Sequence, residues 1–169
     1  TENETDQETE TRKINAGDAA QCVETNFTFK DEDFEKSGFN TVASKVNLTA
    51  MQAHGEQYES LFIVLNNFGD GSKVSNKAES EGDVSLTLNF SAPTGKKVEA
   101  RDYKAEDEGF GKGYSFSANY NTADGSHTFN MSSGTSKITY LGDDKICGTV
   151  SIQNKAGTSS IEGTFTVNR

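Results

Sequence analysis

His54 and His127 are the only imidazoles in this chain and so the first candidates for acid–base work near neutral pH. Neither stands beside a serine, cysteine or carboxylate in a recognisable nucleophile–base pattern, and no Gly-x-Ser-x-Gly elbow occurs. Both lie near the ends of strand-like segments and read as surface or sheet residues. The run Gly109-Phe110-Gly111-Lys112-Gly113 is rich in glycine but lacks the spacing and following helix of a phosphate cradle, so it reads as a loop or bulge. With no enzyme template left, the chain is expected to be non-catalytic.

Hard oxygen donors are more plentiful. Asp102, Glu106, Asp107 and Glu108 cluster in one segment, and Asp70, Asp83, Asp143 and Asp144 sit in turn-like stretches. Such ligands suit calcium, but none follows the spacing of an EF-hand loop, and solvated turns explain them as well. Calcium held between two strand-end loops stays open. Sugar recognition commonly stacks a ring on Trp or Tyr, and this chain has Tyr58, Tyr103, Tyr114, Tyr120 and Tyr140 but no Trp. Tyr114, Phe116 and Tyr120 share one strand face with Ala118, which reads as core with hydroxyls at the rim. The expected ligand-contacting residues are therefore Asn66, Asn67, Asp70, Glu106, Asp107, Glu108 and Tyr114, in loops where Gly, Asn and acids interrupt the apolar alternation. Asn-x-Ser/Thr triplets at Asn3, Asn26, Asn47, Asn89 and Asn130 are common by chance in a chain so rich in these residues.

A net charge of -10 speaks against nucleic-acid binding, which needs a basic surface to displace counterions from phosphates. It suits a soluble monomer. The two cysteines, Cys22 and Cys147, lack zinc-site spacing; they are either one long-range bridge or two separate thiols, and export would favour the bridge. At 169 residues the chain is the size of one domain. Residues 1–20 read as an acidic tether, because Glu2, Glu4, Asp6, Glu8 and Glu10 alternate with polar residues and no apolar residue precedes Ile14. Residues 21–169 read as the domain, and no apolar run approaches the length of a membrane-spanning helix.

The domain is a succession of short alternating segments: Cys22 to Phe29, Lys45 to Met51, Val84 to Phe90, Val98 to Tyr103, Tyr114 to Tyr120, His127 to Met131 and Lys137 to Leu141. Leu61 to Leu65 is instead continuously apolar and predicts a central strand covered on both sides. Turn sequences such as Glu81-Gly82-Asp83 and Ala123-Asp124-Gly125 separate them. One helical turn is expected over Asp31 to Ser37. This rhythm predicts an all-β antiparallel sandwich, or alternatively a flattened barrel, with little helix.

The strongest pattern is a phrase written twice. Ile146-Cys147-Gly148-Thr149-Val150-Ser151-Ile152 is echoed by Ile161-Glu162-Gly163-Thr164-Phe165-Thr166-Val167 across a polar connection, which predicts a closing hairpin with Ile146, Val150, Ile152, Ile161, Phe165 and Val167 buried. Together with Asp124-Gly125, Gly134 to Thr139 and the acidic turn Asp143-Asp144, this string resembles the C-terminal half of small exported lipoprotein β-sandwich domains of Bacteroidota, a loose family of unassigned function. The resemblance implies a fold and an exported location (periplasm, outer-membrane surface or extracellular), with membrane contact only through an N-terminal anchor that is absent or removed. It transfers no functional residue. The function expected is a non-catalytic binding or adhesion module for a cell-surface protein or glycan. The alternatives are a carbohydrate-binding module, calcium-supported or not, and a periplasmic inhibitor or immunity protein whose Glu106–Glu108 loop enters a basic cleft.

Overall fold

A computed structural model describes residues 14–32, 34–69, 74–75, 77–105, 112–128 and 131–169. Among the described residues, eleven strands follow a single short 3-10 turn at Ala19–Gln21. They are β1 (Asn26–Lys30), β2 (Glu35–Phe39), β3 (Ala43–Ala53), β4 (Glu56–Asn66), β5 (Val84–Ser91), β6 (Asp102–Lys104), β7 (Ser115–Thr122), β8 (Gly125–Thr128), β9 (Met131–Leu141), β10 (Lys145–Asn154) and β11 (Ser160–Asn168). All belong to one sheet, ordered β2-β1-β11-β10-β9-β6-β7-β5-β4-β3, with β8 on the side of β7. Every pairing is antiparallel except that of β6 with β7. The expected all-β class holds. The sheet ends at β2 and β3 and does not close, so the flattened barrel is set aside.

The sandwich is made by one sheet doubled over on itself. Phe90 of β5 meets Phe165 of β11 with ring centroids 5.9 Å apart, and Phe29 of β1 meets Tyr120 of β7 at 5.2 Å. These pairs are far apart along the sheet, so they touch only because its halves face each other. Leu61, Ile63, Leu65, Leu86, Leu88, Phe90, Ile146, Ile161 and Phe165 fill the space between with essentially no exposure.

The closing hairpin forms as the repeat predicts, with Ile146 opposite Val167, Val150 opposite Gly163 and Ile152 opposite Ile161, and all six predicted side chains buried. Its two glycines have the same job. Gly148 lies opposite Phe165, where a Cβ would strike the Phe165 ring and the Lys137 carbonyl. Gly163 lies opposite Phe27, where a Cβ would strike the Phe27 ring and the Asn26 carbonyl. Each missing side chain lets a neighbouring strand lay an aromatic ring flat on the backbone.

Residues 14–25 form a strap. Asn15 exchanges hydrogen bonds with Ala100 (Ala100 N to Asn15 O, and Asn15 Nδ2 to Ala100 O, both 2.8 Å). Leu141 N donates to Ala16 O at 2.8 Å, and Asp18 N to Thr139 O at 3.0 Å. The strap then crosses the outside of β10 and β11, where Thr166 Oγ1 donates to Val23 O (2.6 Å) and Thr164 Oγ1 to Glu24 O (2.7 Å). Residues 15–18, grouped with the tether from sequence, are thus hydrogen-bonded into the sheet; residues 1–13 lie outside the described residues. Cys22 and Cys147 are bridged, with Cα atoms 5.3 Å apart and a sequence separation of 125. Closing a loop of that length stabilises by about 5 kcal/mol on chain-entropy grounds.

Some local expectations change, and Cys22 to Phe29 is a strand only from Asn26. The helical turn expected over Asp31 to Ser37 does not form: Asp31 N donates to Phe34 O at 2.7 Å, and Glu35 to Ser37 already belong to β2. Val98 to Tyr103 pairs as a strand only from Asp102. The Leu61–Leu65 run is not covered on both sides: Leu61, Ile63 and Leu65 point inward, whereas Phe62 and Val64 are half-exposed on the outer face.

Gly163→Ala should lower stability by about 2–3 kcal/mol, because the added carbon meets backbone as well as a ring. Thr149→Ala, at an exposed position one strand away, should change it by no more than about 0.5 kcal/mol. Urea midpoints of the two variants against the parent check this; equal midpoints would contradict the packing role of the glycine.

Candidate functional site

The doubled sheet has two outward faces, and they differ in chemistry. On the β9–β10–β11 side the registered rows Lys137–Thr149–Thr164 and Thr135–Ser151–Glu162 mix charges with hydroxyls, and the strap covers part of them. On the β3–β4–β5–β7 side, register places outward residues in four rows: Thr49–Ser60–Ser91–Ser115, Asn47–Phe62–Asn89–Ser117, Lys45–Val64–Thr87–Asn119 and Ala43–Asn66–Ser85–Asn121. Lys45, on the end strand, is the one charged residue among them. Ala43, Ser60, Asn66 and Ser85 are buried, and a chain that is 25% charged would place about three charges among the other twelve positions by chance, so the exposed part of the face is depleted of charge.

Strand geometry sets the dimensions: same-face neighbours along a strand are about 6.8 Å apart and strands about 4.8 Å apart, so the β4–β5–β7 part spans about 20 Å by 10 Å. Asn47, Ser117 and Asn119 are exposed; Phe62, Val64, Thr87 and Asn89 are half-buried. Ser60 and Ser91 hydroxyls meet at 2.9 Å.

At one end a cleft of about 460 Å³ is lined by Ser75, Lys77, Ala78, Asn121, Thr122, Ala123, Gly125 and Ser126. Ser75 in its lining is held down by Asn66 Nδ2 donating to Ser75 O at 2.8 Å, with Ser85 Oγ 3.4 Å from the same carbonyl. Lys77 brings a charge to the rim, paired with Glu79 at 3.4 Å.

The residues singled out from sequence do not come together. Asn66 is buried and spends its amide on the Ser75 carbonyl. Asn67 donates to Gly82 O (2.9 Å) and accepts from Val84 N (2.7 Å), clasping the loop that precedes β5. Tyr114 stands edge-on to Tyr103 (5.6 Å) and beneath the Arg101 guanidinium (3.6 Å to the ring centre), a cation–π stack outside the face described above. Asp70, Glu106, Asp107 and Glu108 lie outside the described residues. Tyr103 and Tyr120 are core side chains, so the tyrosines do not align on one exposed face.

Among the acids proposed as calcium ligands, Asp83 accepts from Ser80 N at 3.2 Å and Asp144 from the Tyr140 hydroxyl at 3.3 Å, and both serve turns. Among the described residues no group of three or more metal-ligating side chains gathers. His54 sits at the tip of the β3–β4 hairpin with φ 53°.

Sequence reading missed the outer face because Ser, Thr and Asn on alternating positions read as ordinary solvated residues. The signal was Phe62 and Val64, which break the alternation of β4 and leave apolar surface where a solvated strand would carry polar groups. No protein-family model, curated protein or solved structure matches this chain.

Two buried hydroxyls brace the frame behind the face. Tyr103 donates to Glu99 O (2.7 Å) and accepts from Glu99 N (3.0 Å), and burial pushes its pKa well above the ordinary value near 10. Tyr120 donates to Asp31 Oδ2 (3.1 Å); burial first, then the neighbouring carboxylate, raises it likewise. The folded state keeps these protons above pH 10, whereas the unfolded chain releases them there. Their contribution to stability is full below about pH 10 and is lost as pH rises toward the folded values. Stability measured in urea should therefore fall above about pH 10, and less steeply in Tyr120→Phe; an identical slope in the variant would contradict the assignment.

Proposed function

We propose that this chain is a non-catalytic binding module of an exported protein, and that it works through the outer face of β4, β5 and β7. The observation that carries the reading is the depletion of charge on that face, beside a cleft, in a chain that is 25% charged. Export is supported by the Cys22–Cys147 bridge, which is compatible with an oxidising compartment, and by the resemblance to exported lipoprotein domains. Among the described residues no helix is long and apolar enough to cross a membrane. The reading places the module in the periplasm, on the outer-membrane surface or outside the cell, where it attaches to surface material and does not transform it. A rigid sheet face suits that task, since it presents its groups without the ordering cost of a loop.

The test uses fluorescently labelled protein on bacterial envelope preparations, with variants in exposed positions that leave the core untouched. Ser117→Glu with Asn119→Glu should reduce binding at least tenfold and leave the melting temperature unchanged. Thr135→Glu with Thr149→Glu, on the opposite face, should bind like the parent. Equal binding by all three proteins would remove the face from function, and turnover of envelope material by the pure protein would overturn the non-catalytic reading.

A further inference from the structure

From the same face we infer the class of ligand: a neutral polysaccharide, lying across β4, β5 and β7 with one residue or branch seated in the cleft. The inference rests on the binding-module reading and adds three observations to it.

The first is electrostatic. Across the β4–β5–β7 rows no carboxylate or cation is present, so a charged ligand would find no counter-ion on the central strands. Desolvating its charge there would go uncompensated, whereas a neutral ligand has no such penalty. The second is the kind of polar group present. Asn89, Asn119 and Asn121 each combine a carbonyl acceptor with an NH2 donor, and Thr87 and Ser117 each both donate and accept, while Ser91 Oγ is shared with Ser60 Oγ at 2.9 Å and Asn89 Oδ1 at 3.4 Å. Sugar hydroxyls have the same dual character, so a lattice of amides and hydroxyls matches vicinal diols without needing a charge on either side. The third is the apolar pair at the centre. In its row Phe62 is flanked by Asn47 and Asn89, and Val64 by Lys45 and Thr87. A pyranose presents an apolar C–H face bordered by hydroxyls, and this arrangement meets it with an apolar strip bordered by amides and a hydroxyl.

The cleft continues the pattern. Asn121 belongs both to the last row and to the cleft lining, which adds Ser75, Thr122 and Ser126. Its one charged lining residue, Lys77, is paired with Glu79. The cleft thus extends the neutral surface into a concave end, where a terminal sugar or a side branch gains contacts on more than one side.

Affinity electrophoresis of the whole chain tests the inference, through gels containing a neutral glucan, a neutral mannan, alginate or chitosan. Retardation is expected in at least one neutral gel and at least tenfold weaker in Asn119→Ala with Ser117→Ala, two exposed sites whose replacement spares the core. Phe62→Ala should weaken it at least as much, provided its circular dichroism matches the parent. Retardation by alginate or chitosan alone, lost in the same double variant, would overturn the neutral class and leave the face as the binding surface. Retardation by a neutral glycan unchanged in the double variant would overturn the site. If no gel retards the protein, the glycan class fails, and the envelope-binding measurement above decides separately whether the module reading stands. A dimer that becomes a monomer in Asn119→Glu would give the face to a second copy of the chain and overturn the proposal.

Discussion

A single sheet that must bury its own inner surface is the constraint from which the rest of this structure follows. Phe90 against Phe165 and Phe29 against Tyr120 are the contacts that hold the two halves together. Aromatic pairs of this kind contribute about 0.5–1.5 kcal/mol each beyond the area they bury. Because both halves supply the core, nearly every inward position is apolar, and polar side chains are left to the two outer faces. Asp31 then links three otherwise separate parts, accepting from Tyr120 of β7 and, at 2.6 Å, from Ser159 in the β10–β11 turn while itself following β1.

Doubling the sheet leaves each outer face to be dealt with separately. The strap covers part of one, and its threonine-to-backbone bonds satisfy carbonyls at Val23 and Glu24 in a segment with no strand partner of its own. The bridge at Cys147, fully buried beneath it, keeps that crossing closed. The β4–β5–β7 face carries instead a neutral lattice around Phe62 and Val64. That asymmetry, one face strapped and one presented, is the structural basis of the functional reading.

Much of the fold was legible in the chain because a period of two is a direct imprint of a half-buried strand. The Ile-x-Gly-Thr repeat showed its hairpin and its buried face, although the reason for each glycine, a ring on the adjacent strand, required the register. The cysteine pair was open between bridge and thiols, since spacing says nothing about distance across a fold. Leu61–Leu65 misled because a continuous apolar run implies two covered faces, and the outward half of this one contributes to a surface. Asn66 and Asn67 looked like loop ligands because a side chain that clasps a backbone carbonyl and one that greets solvent are written with the same letter. The candidate site was almost wholly illegible, since its residues come from four strands and become neighbours only in register.

The most direct test of the central claim is amide and side-chain chemical-shift mapping of the isotopically labelled chain, titrated with a neutral oligosaccharide taken from a polymer it binds. The account predicts that perturbations concentrate on Phe62, Asn89, Ser117, Asn119 and the side-chain amide of Asn121, and fade across β10 and β11. Perturbations centred on Tyr114 and Arg101, or on the strapped face around Thr149, would contradict it.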